Sequence, residues 1–183
     1  MAIRYFTTFL WMRSGFLRTS NLKMQNYRLA TDENGSPFVL NSKGSIDFGY
    51  ITEEMNLPPA PIRLPEGVGG EKGYGLLHIE ERRIGQIRSF GFKDVKDFVE
   101  YVCSCFTDIK EGAGNSYLLE LGDRYRNTLY ISLSRDGDYW KVISGGIFRL
   151  KYSQNKKITY SASEVQSPQS TPEVKVWTAR NCR

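Results

Sequence analysis

Any proton transfer near neutral pH in this chain has to be built around His78, the one histidine among 183 residues. It lies in Tyr74-Gly75-Leu76-Leu77-His78-Ile79-Glu80-Glu81-Arg82-Arg83. If this stretch is helical, His78 and Arg82 share one face and Glu81 stands on an adjacent one. An imidazole can take or give a proton near neutrality. An arginine one turn away can hold a phosphate and offset charge that develops on it. Cleavage of RNA through its 2′-hydroxyl needs these parts and no metal.

Other chemistries lack their parts. Three cysteines and one histidine cannot make a zinc site of four cysteines, or of two cysteines and two histidines. Asp136-x-Asp138 falls in a turn and Glu80-Glu81 on a helix, and neither has a ligand-rich loop, so no metal and no cofactor is expected. Gly67-Val68-Gly69-Gly70-Glu71-Lys72-Gly73 has neither P-loop spacing nor a dinucleotide-binding register, and reads as a flexible entry loop. Cys103 and Cys105 point apart on a helix and Cys182 sits near the end, so no disulfide is implied.

Charge sharpens once it is located. The formal net charge is +5. Residues 51–120 carry 12 acidic and 8 basic groups, whereas 121–157 carry 8 basic and 3 acidic. A basic sheet facing an acidic helical layer is a possible polyanion footprint. The apolar stretch Phe6–Met12 is broken by Thr7 and Thr8 and is too short for a membrane span. A cytoplasmic protein with no membrane partner is expected, with delivery into a host cell and secretion left open.

The elements that must position these groups follow from periodicity. Tyr27–Thr31 and Pro37–Leu40 flank an Asp-Glu-Asn-Gly turn and read as a hairpin. The Pro- and Gly-rich stretch 58–75 excludes a helix interior or a central strand. A short helix is predicted over Tyr74–Ile87, ending or kinking at Gly85. A second is opened by Asp94, with Val95, Phe98, Val99, Val102 and Ile109 on one face and Glu111-Gly112 as its end. Strands follow at 117–121, 128–133 and 139–143, then 147–152 after a break or bulge at Gly145-Gly146, and a short one at 158–160. The fold class expected is α+β: two helices followed by a three- to four-stranded antiparallel sheet. The organisation expected is an N-terminal extension (1–57), a domain over 58–162 and a flexible tail over 163–183.

Pro61-Ile62-Arg63-Leu64 followed by Gly73-Tyr74-Gly75-Leu76-Leu77-His78-Ile79 resembles the opening of phage-associated nuclease domains of the barnase/EndoU/colicin/RelE-like group (the BECR fold). Val95–Val99 through Phe106–Gly112 is similar to their long helix, and Tyr139–Arg149 to their closing sheet. Where their pattern has a second histidine, this chain has Arg83. The resemblance covers about 60–160 and implies a barnase-like fold and a metal-independent endoribonuclease of phage or mobile-element origin, toxin-like in kind. It implies RNA as partner and leaves room for an immunity or antitoxin protein. It makes His78 the general acid or base and Arg82 the phosphate clamp, with Ser144 and Arg149 also on the phosphate and Arg83, Lys151 and Tyr152 lining the groove. The alternative reading is a non-enzymatic RNA- or protein-binding module using the basic sheet. A third is an ADP-ribosyltransferase-like effector, for which Ser132-Leu133-Ser134 is a poor match.

Overall fold

In a computed structural model, residues 27–162 are described. Residues 1–26 and the tail assigned to 163–183 lie outside them. The clearest element is the helix α2 (Val95–Cys105). Asp94 caps it, its side chain accepting from the Asp97 amide at 2.8 Å. Val95, Phe98, Val99, Val102 and Cys103 form its buried stripe. It stops at Phe106, whose φ of −59° and ψ of 142° return the chain to extended backbone. Ile109 therefore belongs to a strand, although its spacing continues the helical period. Cys105 lies in the last turn and Cys103 is a buried free thiol, while Cys182 lies outside the described residues.

The helix α1 (Gly75–Ser89) runs through Gly85, where an added Cβ would meet nothing. Leu76, Ile79 and Ile87 form its buried side. The strands are β1 (Leu29–Thr31), β2 (Pro37–Val39), β3 (Asp47–Ile51), β4 (Ala60–Arg63), β5 (Asp108–Glu111), β6 (Ser116–Leu121), β7 (Tyr125–Leu133), β8 (Trp140–Arg149) and β9 (Ile158–Ser161). Strands β1 and β2 make the expected hairpin. The other seven form one sheet in the order β3-β4-β8-β7-β6-β5-β9. All its joints are antiparallel except β4 to β8, which pair in parallel through Ile62–Trp140 and Arg63–Lys141.

This corrects the expected fold class. The sheet has seven strands rather than three or four, is mixed rather than antiparallel, and curls into a half-barrel. Two of its strands precede the helices. The residue 57/58 division falls between β3 and β4, which pair with each other. Strand β4 contains Pro61, and the Pro-rich composition concealed it. Gly145 and Gly146 lie inside a continuous strand, and the bulge sits at Ile143, because Tyr130 pairs with Ser144 while Ile131 pairs with Val142.

The curl shows in the packing. One helix, α2, touches β3 at one edge, β7 at the middle and β6 one strand beyond it. The curl of the sheet turns all three strands toward that helix. The residues after β3 also approach the opposite edge, where the Asn56 side-chain amide donates to the Thr159 carbonyl at 3.2 Å. The core fills this hollow with Phe98, Val102, Leu119, Leu129, Ile131, Trp140 and Val142.

Helix α1 lies along β8 instead. Beyond Lys141, β8 loses β4 as neighbour, and Gln86 meets the bare edge. Its Nε2 donates to the Ile147 carbonyl at 2.6 Å, and its Oε1 accepts from the Ile147 amide at 3.3 Å. One side chain thus replaces a strand for one residue.

On the other face of the sheet, the turn following β8 (Leu150–Tyr152, 3-10 in form) and the residues after it cover charged groups. Lys110 Nζ lies 3.0 Å from Glu120 Oε2, with side chains 4% and 1% exposed. Lys110 also donates to the Ser153 carbonyl, and Glu120 accepts from the Thr128 hydroxyl. Beside them, Arg126 pairs with Asp108 at 2.9 Å.

Candidate functional site

Where α1, β7, β8 and the turn after β8 converge, they enclose a cleft of about 640 Å³. Helix α1 contributes Arg83 and Gln86, its C-cap Phe90 follows, β7 contributes Tyr125 and Tyr130, and β8 contributes Ile147, Phe148 and Arg149. Tyr152 comes from the turn. Five of these nine are aromatic and two are arginines, and no described lining residue is acidic or a histidine. The two smaller clefts differ, for each holds carboxylates: Glu80 and Asp94 in one, Asp32, Glu33 and Asp138 in the other.

The spacing of α1 explains its contribution. Arg83, Gln86 and Phe90 recur at three and four residues and so share one stripe, on the sheet-facing side of the helix beside the buried Ile79 and Ile87. Register explains the sheet's contribution. Tyr130 and Phe148 share one face of the ladder, because Phe148 pairs with Arg126, four residues before Tyr130, whereas Tyr125, paired with Arg149, points to the other face and reaches the cleft from the end of β8. The Phe90 and Tyr125 rings meet edge to face at 5.4 Å, and those of Tyr130 and Phe148 at 6.0 Å. Cations sit on these rings: Arg83 over Phe148 at 5.2 Å, Arg124 over Tyr125 at 5.8 Å and Lys151 over Tyr152 at 5.3 Å.

Tyr130 is held neutral. Burial raises the pKa of its phenol and the Glu120 carboxylate adds to the rise, while Arg83 works against both. Phe90, Tyr125 and Tyr152 are exposed, and they make up three of the seven exposed large hydrophobic residues among those described. Apolar surface left in water is gathered there in one concavity with cations beside it, which offers stacking area and positive charge together.

The structure therefore brings Arg83, Arg149 and Tyr152 together in one cleft, with Lys151 at its margin. It places Ser144 opposite Tyr130 in the ladder, half-buried and outside the lining. His78 and Arg82 are not brought to the cleft. His78 Nδ1 donates to the Gly70 carbonyl at 2.9 Å, while Glu81 accepts from the Gly70 amide at 2.7 Å. Those bonds pin a tight loop rather than the flexible entry expected. A Cβ at Gly67 would fall 1.9 Å from the Tyr74 carbonyl, and one at Gly73 would fall 2.1 Å from the Val68 carbonyl. The glycines are required by the close approach of backbone to backbone.

Sequence reasoning missed Gln86, Phe90, Tyr125, Tyr130 and Phe148. The available signal was the aromatic–arginine adjacency of Tyr125-Arg126 and Phe148-Arg149 on strands that a hairpin turn makes neighbours. Among the described residues, no group of three metal-ligating side chains is found, and no helix is long and apolar enough to cross a membrane. No family model, curated protein or solved structure matches the chain.

Proposed function

We propose that this protein binds single-stranded nucleic acid, RNA in the first place, through the cleft between α1 and the β7–β8 ladder. One observation carries the reading: five aromatic rings and two arginines converge there without a carboxylate. A base has a π-face whatever its identity. Stacking on an aromatic side chain contributes about 1–3 kcal/mol per base. Arginine completes the pair by reaching phosphate oxygens through its planar fork. The basic excess of 121–157 gives the approach of a polyanion a favourable field.

Cleavage is the second reading, and it rests on a different place. The cleft lining has no imidazole or carboxylate to move a proton. His78 has its Nδ1 proton committed to Gly70, which leaves Nε2 as the acceptor of the neutral ring. That is the orientation a general base would need, with Arg82 one turn on. The endoribonuclease reading therefore locates its chemistry at His78 and not in the cleft.

The test combines both. End-labelled RNA and DNA oligomers of equal sequence are titrated in a fluorescence anisotropy assay, then incubated with protein in EDTA and run on a denaturing gel. Binding is expected for the wild type, weakened at least tenfold in Arg83→Ala/Arg149→Ala and unchanged in His78→Ala, with the oligomers left whole. Comparison of the two sugars decides between RNA and DNA. Absence of binding by the wild type sinks the proposal. RNA cut in EDTA and spared by His78→Ala would establish the ribonuclease reading instead.

A further inference from the structure

The size and chemistry of the cleft limit what it can hold. Its lining along α1 runs from Arg83 to the C-cap Phe90, which at 1.5 Å per residue is about 10 Å. Its volume of about 640 Å³ lies within the roughly 300–1,000 Å³ of sites that enclose one small ligand, not a tract. The Phe90–Tyr125 ring pair stands at the end of α1. Two lining arginines can take two phosphates. The other cations nearby, Arg124 beside Tyr125 and Lys151 beside Tyr152, stand at the margin and do not line the cleft.

The neutral polar groups point the same way. The Gln86 amide, the usual reader of an adenine edge, spends one N–H and one oxygen lone pair on Ile147 and is held against β8. What remains for a base is ring surface, the hydroxyls of Tyr125, Tyr130 and Tyr152, and one N–H and one lone pair of Gln86.

From these observations, and resting on the proposed binding of single-stranded nucleic acid, we infer that the cleft recognises a two-nucleotide unit carrying two phosphates. Its footprint is a short bite, with Arg83 and Arg149 taking one phosphate each and the bases lying against the aromatic walls. A protein of this kind binds ends, short products or exposed dinucleotide steps as well as it binds a long strand. It differs from a groove that tracks a backbone over roughly 4–16 nucleotides.

Isothermal titration of the full chain with 5′-phosphorylated oligouridylates of two, four and eight residues, over a series of salt concentrations, tests the footprint. The dinucleotide is expected to bind as tightly as the octamer, apart from the statistical gain from the larger number of registers on a longer strand. The slope of log affinity on log salt is expected near −1.4 for all three, at about −0.7 per phosphate. In the groove alternative, each added stacked base tightens binding roughly tenfold and the slope steepens with length. That result overturns the two-nucleotide footprint and leaves the proposed function standing. No binding at any length overturns the proposed function itself. The Arg149→Lys variant guards against a folding artefact, since it keeps the charge and should lower affinity while leaving the salt slope in place.

Discussion

Lys110→Met is expected to be among the most destabilising single changes in the described chain. The lysine is the ion-pair partner of Glu120 at 3.0 Å, with both side chains almost fully out of solvent. Removing it leaves a buried carboxylate whose remaining partner is the Thr128 hydroxyl at 3.2 Å. Breaking one half of a buried pair costs about 3–5 kcal/mol, because the surviving charge is uncompensated. Domains are stable by about 5–15 kcal/mol, so the variant should stand near the edge of unfolding. Glu120→Leu alone should cost a similar amount, because the ammonium then keeps only the Ser153 carbonyl at 3.3 Å. The double variant Lys110→Met/Glu120→Leu buries no charge at all. Its penalty should be small, about 1 kcal/mol, since the Ser153 carbonyl still accepts from the Lys156 amide at 3.1 Å and the Thr128 hydroxyl still reaches the Arg126 carbonyl at 3.3 Å. The double variant should thus be more stable than either single one. Urea unfolding followed by circular dichroism measures all four proteins. A cost below about 1 kcal/mol for Lys110→Met, as for an exposed pair, or strictly additive losses in the double variant, would refute the reasoning.

Gly145→Ala should destabilise the fold by about 1–3 kcal/mol, since the new methyl would lie 2.7 Å from Leu129 Cδ2 and 3.1 Å from Phe98 Cε1. Phe98→Leu in the same chain should recover part of that loss in the same urea assay. Gln86→Leu strips both partners from the Ile147 backbone and should lower stability by about 1–3 kcal/mol while also weakening oligonucleotide binding, because Ile147 belongs to the cleft wall. Alkaline pH should weaken the fold through its buried phenols. Tyr27 is raised by burial and by its bond to Glu80, and Tyr130 and Tyr139 are raised chiefly by burial. A raised folded pKa gives stability that is intact below the unfolded value near 10 and is lost above it. The urea midpoint should therefore fall above about pH 10, and Tyr27→Phe should make that fall shallower.

Much of the local structure was legible because it depends on near neighbours. The hairpin around Asp32–Gly35, the buried stripe and Asp94 cap of α2, and strands β6 and β7 are all patterns of a few residues. What escaped depends on distant partners. The period of α2 continues in register through Phe106 to Ile109, and only pairing with β6 shows that Ile109 is in a strand. Pro61 argues against an interior strand, yet β4 needs only two residue pairs with β8. Lys110 and Glu120 look like surface residues until the segment after β8 covers them. The same holds for the site. Arg83, Arg149 and Tyr152 could be singled out by type, but their meeting with Phe90 and Tyr130 required the register of β7 on β8 and the side of β8 on which α1 lies. His78 attracted attention by rarity, and rarity carries no information about position.

Gln86 has a consequence for association between molecules. A strand edge with free amides and carbonyls is a template on which another chain can add a strand. Past Lys141, β8 would present such an edge if α1 moved away. The helix acts as a cover fastened at Ile147, and the same fastening shapes a wall of the cleft. Loosening it should reveal itself first as concentration-dependent self-association of folded protein, visible by light scattering before any loss of helix or sheet signal.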